Sequence, residues 1–437
     1  MRNVLLTALL ASSLPLACPA KNLLHTFEKV QATDQFWAEG AHVGDFNRDG
    51  KMDVVSGVFW YEGPDFQKRH EIWPAKASFQ RKKSDGKEET VPGFEGAQGV
   101  NNAYADCFLT YSYDFNRDGW MDVIVYGHPG TEVAWYENPH NAAGPWPRHV
   151  VFDVLDNESP GFDDITGDGK PELICCSKGF AGYVEVDWKN PTNSWKFHAV
   201  TPKGDYQRYS HGIGVGDING DGRIDLLDKD AWWEQPASRN TDNPWKRHPF
   251  PFAKAAAQML VYDVNGDGLN DVITAHSAHE YGLSWFEQVR ANGEISFQDH
   301  VILNKDASKN AYGVQFSQVH ALDLVDMDGD GLKDIVTGKR FWAHGKGGPD
   351  PESDGAPSVL YWFKLNRPKK GEANYVPYLV DADSGVGTQV LAAKVSDKKY
   401  PDIIVGNKKG VFILKHKVTS VSREQWEQAQ PKPVAVK

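Results

Sequence analysis

The chain has 437 residues, with 59 Asp and Glu against 47 Lys and Arg and a formal net charge of −12. An acidic balance of this kind argues against a nucleic-acid partner, whose phosphates call for a basic surface. Length alone allows two or three domains, but a repeat that runs through the chain argues for one.

Residues 1–20 read as a secretory signal: Arg2, an apolar run from Val4 to Leu10, then small residues from Ser12 to Ala20. The apolar run is too short to span a bilayer, and no other segment reads as transmembrane. Cleavage after Ala20 and a secreted or periplasmic location are expected. Leu16-Ala17-Cys18 gives the alternative of a lipid anchor in the outer membrane, against which Pro15 stands where an aliphatic residue is usual.

From there an acidic nine-residue loop recurs six times. Its ligand-type residues are Asp45, Asn47, Asp49 and Asp53; Asp114, Asn116, Asp118 and Asp122; Asp164, Asp168 and Glu172 (with Thr166); Asp217, Asn219, Asp221 and Asp225; Asp263, Asn265, Asp267 and Asp271; and Asp326, Asp328, Asp330 and Asp334. Short oxygen side chains at alternate positions around a sharp Gly turn suit a hard cation, so Ca2+ is expected in these loops. Thr166 and Glu172 make the third loop the poorest of the set.

Each loop lies between a small apolar run and a β-branched run such as Val54-Val55. An aromatic run follows, as in Trp60-Tyr61, Trp135-Tyr136, Trp232-Trp233, Trp285-Phe286 and Tyr361-Trp362. A fourth run ends in a basic residue and His, at His70, His149 and His248, with His198 and His300 in equivalent places. Four short strands per unit make a propeller blade. A seventh unit keeps three strands, and its loop has become Ser396-Asp397-Lys398-Lys399, too basic for a cation. Leu24–Glu28 reads as its missing fourth strand, hiding the sheet edge. The expected fold is all-β, a seven-bladed β-propeller over 21–418 with the N-terminal strand closing the last blade. The polar tail 419–437, with Pro431 and Pro433, is expected to lack fixed structure. Cys107, Cys175 and Cys176 are expected as buried thiols.

The loops resemble the FG-GAP or VCBS repeat family, over about residues 24 to 416. That resemblance implies a calcium-loop propeller like the blades of integrin α chains and secreted bacterial propellers. A looser resemblance, resting on the metal loops together with unrepeated histidines, is to the propeller part of aldos-2-ulose dehydratase and related sugar lyases. No counterpart of the cupin-like domains of that enzyme is read in these 437 residues.

Strand direction puts all acidic loops on one face of the ring. The long insertions, roughly 75–106, 205–211, 304–318 and 341–357, fall on the other, where binding and catalysis concentrate. The fourth-strand histidines, with His25, recur as architecture. His128, His211, His276, His279, His320 and His344 do not recur and map to the insertion face. His211, His276 and His320 come from consecutive units and are the candidate ligands of Zn2+ or another divalent transition metal. His276, His279, Tyr312, Lys339 and Arg340 are the candidate catalytic residues. Tyr209, Tyr281 and Tyr312 are candidates for contact with a sugar. No nucleophile motif, phosphate loop or dinucleotide fingerprint is present. The expectation is metal-assisted elimination or dehydration on carbohydrate. The alternative is a non-catalytic propeller that binds glycan or a protein partner, in the manner of a lectin or adhesin; because lectin propellers usually repeat their sites blade by blade, the unrepeated histidines favour the enzyme.

Overall fold

The computed structural model describes residues 22–75, 78–82, 86–92, 107–239, 244–341, 343–344, 348–352, 356–369, 372–396 and 399–434. The expected signal segment, Asp397 and Lys398 lie outside them. Among the described residues the only α-helix is Arg423–Ala429, and no helix is long and apolar enough to cross a membrane.

Antiparallel four-stranded sheets follow one another along the chain. The first is His42–Gly44, Asp53–Ser56, Phe59–Tyr61 and Arg69–Glu71. The second spans Cys107 to Leu155, the third Gly161 to Ala199, and a later one Leu322 to Asp381. The last takes Val390–Ala393, Asp402–Asn407 and Gly410–Val421, and its fourth strand is Asn22–Thr33 from the other end of the chain. That strand pairs Leu24 with Thr419 and Glu28 with Lys415, as the N-terminal segment was expected to do.

Among the described residues five four-stranded sheets therefore stand separately, not the expected seven. Ile213 to Leu303 forms one eight-stranded sheet, because the innermost strands Ile213–Gly216 and Gln258–Tyr262 run side by side and pair in parallel at Ile213 with Gln258 and Gly214 with Met259. Glycine permits it: a Cβ on Gly214 would lie 1.9 Å from the Met259 carbonyl oxygen, and one on Gly216 2.4 Å from Val261 Cβ. The two halves also pack face to face through Leu227, Trp232, Phe252, Met259, Val272 and Phe286.

The core is divided among the gaps between sheets. Phe46, Trp60, Val123 and Tyr136 join the first to the second. Trp135, Leu173 and Trp195 join the second to the third. Val54, Tyr61, Ile404 and Ile413 join the first to the last, so the succession of sheets closes on itself. Burying an aromatic or aliphatic side chain in such a gap stabilises by about 1.5–3 kcal/mol. The axis is crossed by amides: Gln258 Nε2 donates to the Thr388 carbonyl at 2.9 Å, and Gln389 Nε2 donates to that of Thr110 at 3.1 Å.

The repeated histidines are architecture. His25 is the exception, edge-on to Trp362 and bonded to His416; His70, His149, His198, His248 and His300 each lie over the aromatic ring of the neighbouring strand, with centroids 3.9 Å apart for Trp60 and His70 and for Trp232 and His248. Each Nε2 then meets a carboxylate: Glu62, Glu137, Glu185, Glu234 or Glu287. The tail expectation is corrected. The last strand continues to Val421, and Ser422 caps the helix, exchanging hydrogen bonds with Gln425 in a capping box that satisfies two of its first amides.

Candidate functional site

Each acidic loop is held by its own backbone amides. The lead carboxylate accepts from positions five and six, as Asp45 does from Asp49 N at 3.0 Å and Gly50 N at 2.9 Å. The same pair of bonds recurs at Asp114, Asp164, Asp217, Asp263 and Asp326. Position six has φ near +82° at Gly50 and +89° at Gly331, a left-handed conformation glycine adopts without strain. Position nine is buried and clasps the loop to the end of the third strand: Asp53 accepts from Phe46 N at 3.0 Å and Gly63 N at 2.8 Å. Asp122, Asp225, Asp271 and Asp334 repeat this. Burial pushes the Asp53, Asp122, Asp225 and Asp334 carboxyls up to about 7, against the pull of those amides. The Glu172 carboxyl is raised to about 7 and the Asp271 carboxyl to about 6 by the same burial. The ninth residue of these loops, read from the sequence as a cation ligand, thus serves first as a structural clasp.

Loop six differs. Asp326, Asp328 and Asp334 can bring ligand oxygens within 4.8 Å of one another. Yet Lys364, two residues after Trp362, sets its ammonium on both Asp328 and Asp330. The other aromatic strands place glutamate two residues after the ring, and there Asn116 and Asn265 donate to Glu137 and Glu287. Loop six alone has Asp at its third position, and it alone is met by a lysine standing where the other aromatic strands carry that glutamate.

At the other face three imidazoles meet. His211 Nε2 lies 3.1 Å from His279 Nε2. The His320 ring centroid is 5.5 Å from that of His211 and 4.6 Å from that of His279. One nitrogen from each falls within 4.8 Å of the others. Both nitrogens of His320 and Nδ1 of His211 are buried with no hydrogen-bond partner. Burial holds both rings well below the usual histidine range, with His279 and Arg340 adding to the effect, so they stand neutral, as a metal ligand must. Three imidazoles converging on one point, with the nitrogens of buried His320 unpartnered, are a donor set that fits a divalent transition metal.

Around them lies a buried charged network. Arg340 Nη2 is 2.8 Å from Glu39 Oε1, and the Lys408 ammonium meets the same carboxylate. Glu158 Oε2 lies 3.7 Å from Arg340 Nη1 and 3.9 Å from His211 Nε2. Burial raises the Glu158 carboxyl, although Arg340 and His279 pull it down. Burial also works to raise Glu39, but Arg340 and Lys408 outweigh it and bring the carboxyl down to about 2. Burial lowers Lys408 to about 8.

The placement of the candidate residues revises several roles. His276 is not in the triad: its Nε2 is bonded to Ser284 Oγ at 2.7 Å and lies 3.7 Å from Asp299. His279, three residues on, takes its place, because the loop from His276 turns back through Gly282 and carries His279 towards the axis. Tyr312 is away from the triad, in a groove with Leu23, Trp362, Tyr378 and Trp426. Lys339 and Arg340 are fully buried, and Lys339 Nζ donates to Ser317 Oγ at 3.2 Å with Glu352 3.7 Å away. Their side chains brace the site from within. Glu39, Glu158, Asp350 and Lys408 belong to the site and were not singled out in the sequence. A signal was available for two of them: Glu39 and Glu158 each stand six residues before the lead Asp of their loop, as His211 and His320 do.

The FG-GAP-like repeat family model matches residues 164–227 and 263–337. No curated protein matches the chain. Similar solved structures include a lectin from Agrocybe aegerita, described for specific recognition of non-reducing terminal N-acetylglucosamine, at 16% identity over 89% of this chain and 87% of that one, TM-score 0.41. Another is the rhamnogalacturonan lyase YesW, at 14% identity over 90% and 72%, TM-score 0.36. A third is the V. cholerae biofilm matrix protein Bap1, at 10% identity over 90% and 81%, TM-score 0.31. Likenesses this distant carry no argument about activity. With its ring of four-stranded sheets, the chain is a β-propeller that carries FG-GAP-like repeats at residues 164–227 and 263–337.

Proposed function

We propose that this chain is a secreted, calcium-stabilised propeller of seven blades, the eight-stranded sheet counting as two, that acts on carbohydrate at the axial histidine site by metal-assisted elimination of water. The observation that carries the reading is the meeting of His211, His279 and His320 from three separate segments, with both His320 nitrogens buried and unpartnered. A divalent ion held there would supply Lewis-acid polarisation of a sugar carbonyl or carboxylate.

The chain's own groups supply the rest. His344 is 40% exposed in its side chain and stacks on His279 with centroids 4.6 Å apart. Its Nδ1 lies 2.9 Å from Asp350, which leaves Nε2 to accept a proton. Elimination removes the proton from the carbon beside the carbonyl, forms a carbon–carbon double bond and expels the neighbouring hydroxyl as water. Glu158, with its raised carboxyl, is placed to hold a proton beside His211. Arg340 and Lys408, fixed on Glu39, keep the floor of the site rigid.

The test is metal analysis of the purified protein combined with an ultraviolet assay for unsaturated products on oxidised sugars and uronic-acid glycans. A transition metal near one equivalent, lost together with product formation in His320→Ala, supports the reading. Calcium alone, with glycan binding unchanged in that variant, overturns it in favour of a lectin or adhesin.

A further inference from the structure

Two groups of metal-ligand type share one residue. His279 belongs to the triad with His211 and His320, and also to a second group with His344 and Asp350. Its two nitrogens divide between them: Nε2 lies 3.1 Å from His211 Nε2, and Nδ1 lies 3.3 Å from Asp350 Oδ1 in an oblique approach. Asp350 is nearly buried and is itself anchored, accepting from His344 N at 3.1 Å and His344 Nδ1 at 2.9 Å.

Neutral imidazole carries one proton, and the group facing one nitrogen decides the fate of the other. A carboxylate accepts only, so its charge 3.3 Å from Nδ1, though too oblique for a hydrogen bond here, favours the proton on that nitrogen and leaves the Nε2 lone pair towards His211 and His320. Were the proton on Nε2, it would point into the triad and block it. We infer that Asp350 is the positioning residue of the site: it fixes the tautomer and ring orientation of His279, and through the same carboxylate tethers the loop that carries His344. The inference rests on the metal reading above. Such a carboxylate behind a histidine ligand is commonly worth 10–100-fold in metal affinity.

The experiment uses Co2+ as probe, titrated into metal-stripped full-length protein, with Zn2+ competition for affinity. Asp350→Asn keeps the size and can still accept from His344 N, while it removes the charged partner of His279. The expected result is that wild type shows the intense visible bands of four-coordinate cobalt, and that Asp350→Asn binds at least tenfold more weakly with altered bands and an unchanged melting temperature. Asp350→Glu should recover part of the affinity. Wild type that binds Co2+ and Asp350→Asn with the same affinity and spectrum would overturn the positioning role alone. Wild type that binds no Co2+ would overturn the metal reading and this inference with it.

Discussion

Glu39 and Arg340, 301 residues apart in sequence, meet at the axis with Arg340 Nη2 2.8 Å from Glu39 Oε1, both fully buried. Lys408 shares the carboxylate. One anion therefore holds two cations from different sheets. Buried pairs add little against a hydrophobic replacement, but removing one partner strands the charges left behind. Glu39→Gln should lower stability by about 3–5 kcal/mol, the cost typical of breaking a buried pair. Urea denaturation checks this, with Glu28→Gln, an exposed position, as the control that should change little.

The seam that closes the ring should be acid-sensitive. His25 Nδ1 lies 2.9 Å from His416 Nε2, and burial lowers both rings to about 4. Folded values below the unfolded value near 6.5 mean that the unfolded chain binds protons first. The stability these groups support is present above pH 6.5 and is lost as pH falls towards 4. Melting temperatures from pH 7 to 4 should fall, and less steeply in His25→Gln than in wild type. Parallel slopes would refute the assignment.

Much of this was legible in the sequence. The six loops, the aromatic strands and the repeated histidines fixed the class of fold, and Leu24–Glu28 announced its pairing. The eight-stranded sheet was not legible, because it depends on how closely two glycine-bearing inner strands approach. At the site, His211 and His320 were found by their offset from the loops. Applied to every loop, the same offset reaches Glu39 and Glu158, and six residues after position nine of loop six stands Arg340, as Lys408 stands six after Asp402 in the seventh unit. His279 and Asp350 obey no offset. They lie on irregular loops whose course the repeat does not dictate, which is why the sequence points to His276 instead.

The loops should couple stability to calcium. If they bind the ion only when folded, each site adds about 2.7 kcal/mol at a free concentration 100 times its dissociation constant. Excess EGTA should lower the melting temperature clearly, and added calcium should restore it. A melting curve indifferent to both would remove calcium from the account.

Loop six should be an exception. The Lys364 ammonium already lies on Asp328 and Asp330, so it supplies there the positive charge an ion would bring. Lys364→Met should bind one more equivalent of calcium than wild type, measured by equilibrium dialysis. Equal stoichiometry would show that the lysine yields to the ion.

His276 and His279 offer the cleanest contrast, being three residues apart on one loop and unlike in their surroundings. His276 is committed to Ser284, with Asp299 nearby, whereas His279 faces His211 and His320. His279→Ala removes a donor from the triad and should abolish transition-metal binding. It should spare the fold, since the side chain ends at the mouth of the axis and not in a gap between sheets. His276→Ala leaves all three donors in place and should keep metal content at the wild-type level. Its cost should be a modest loss of stability, about 1 kcal/mol for one hydrogen bond. Metal content by mass spectrometry and thermal melts on both variants separate the outcomes. Loss of metal in His276→Ala with retention in His279→Ala would mean that the loop rearranges on binding and that the sequence-based choice of ligand was right.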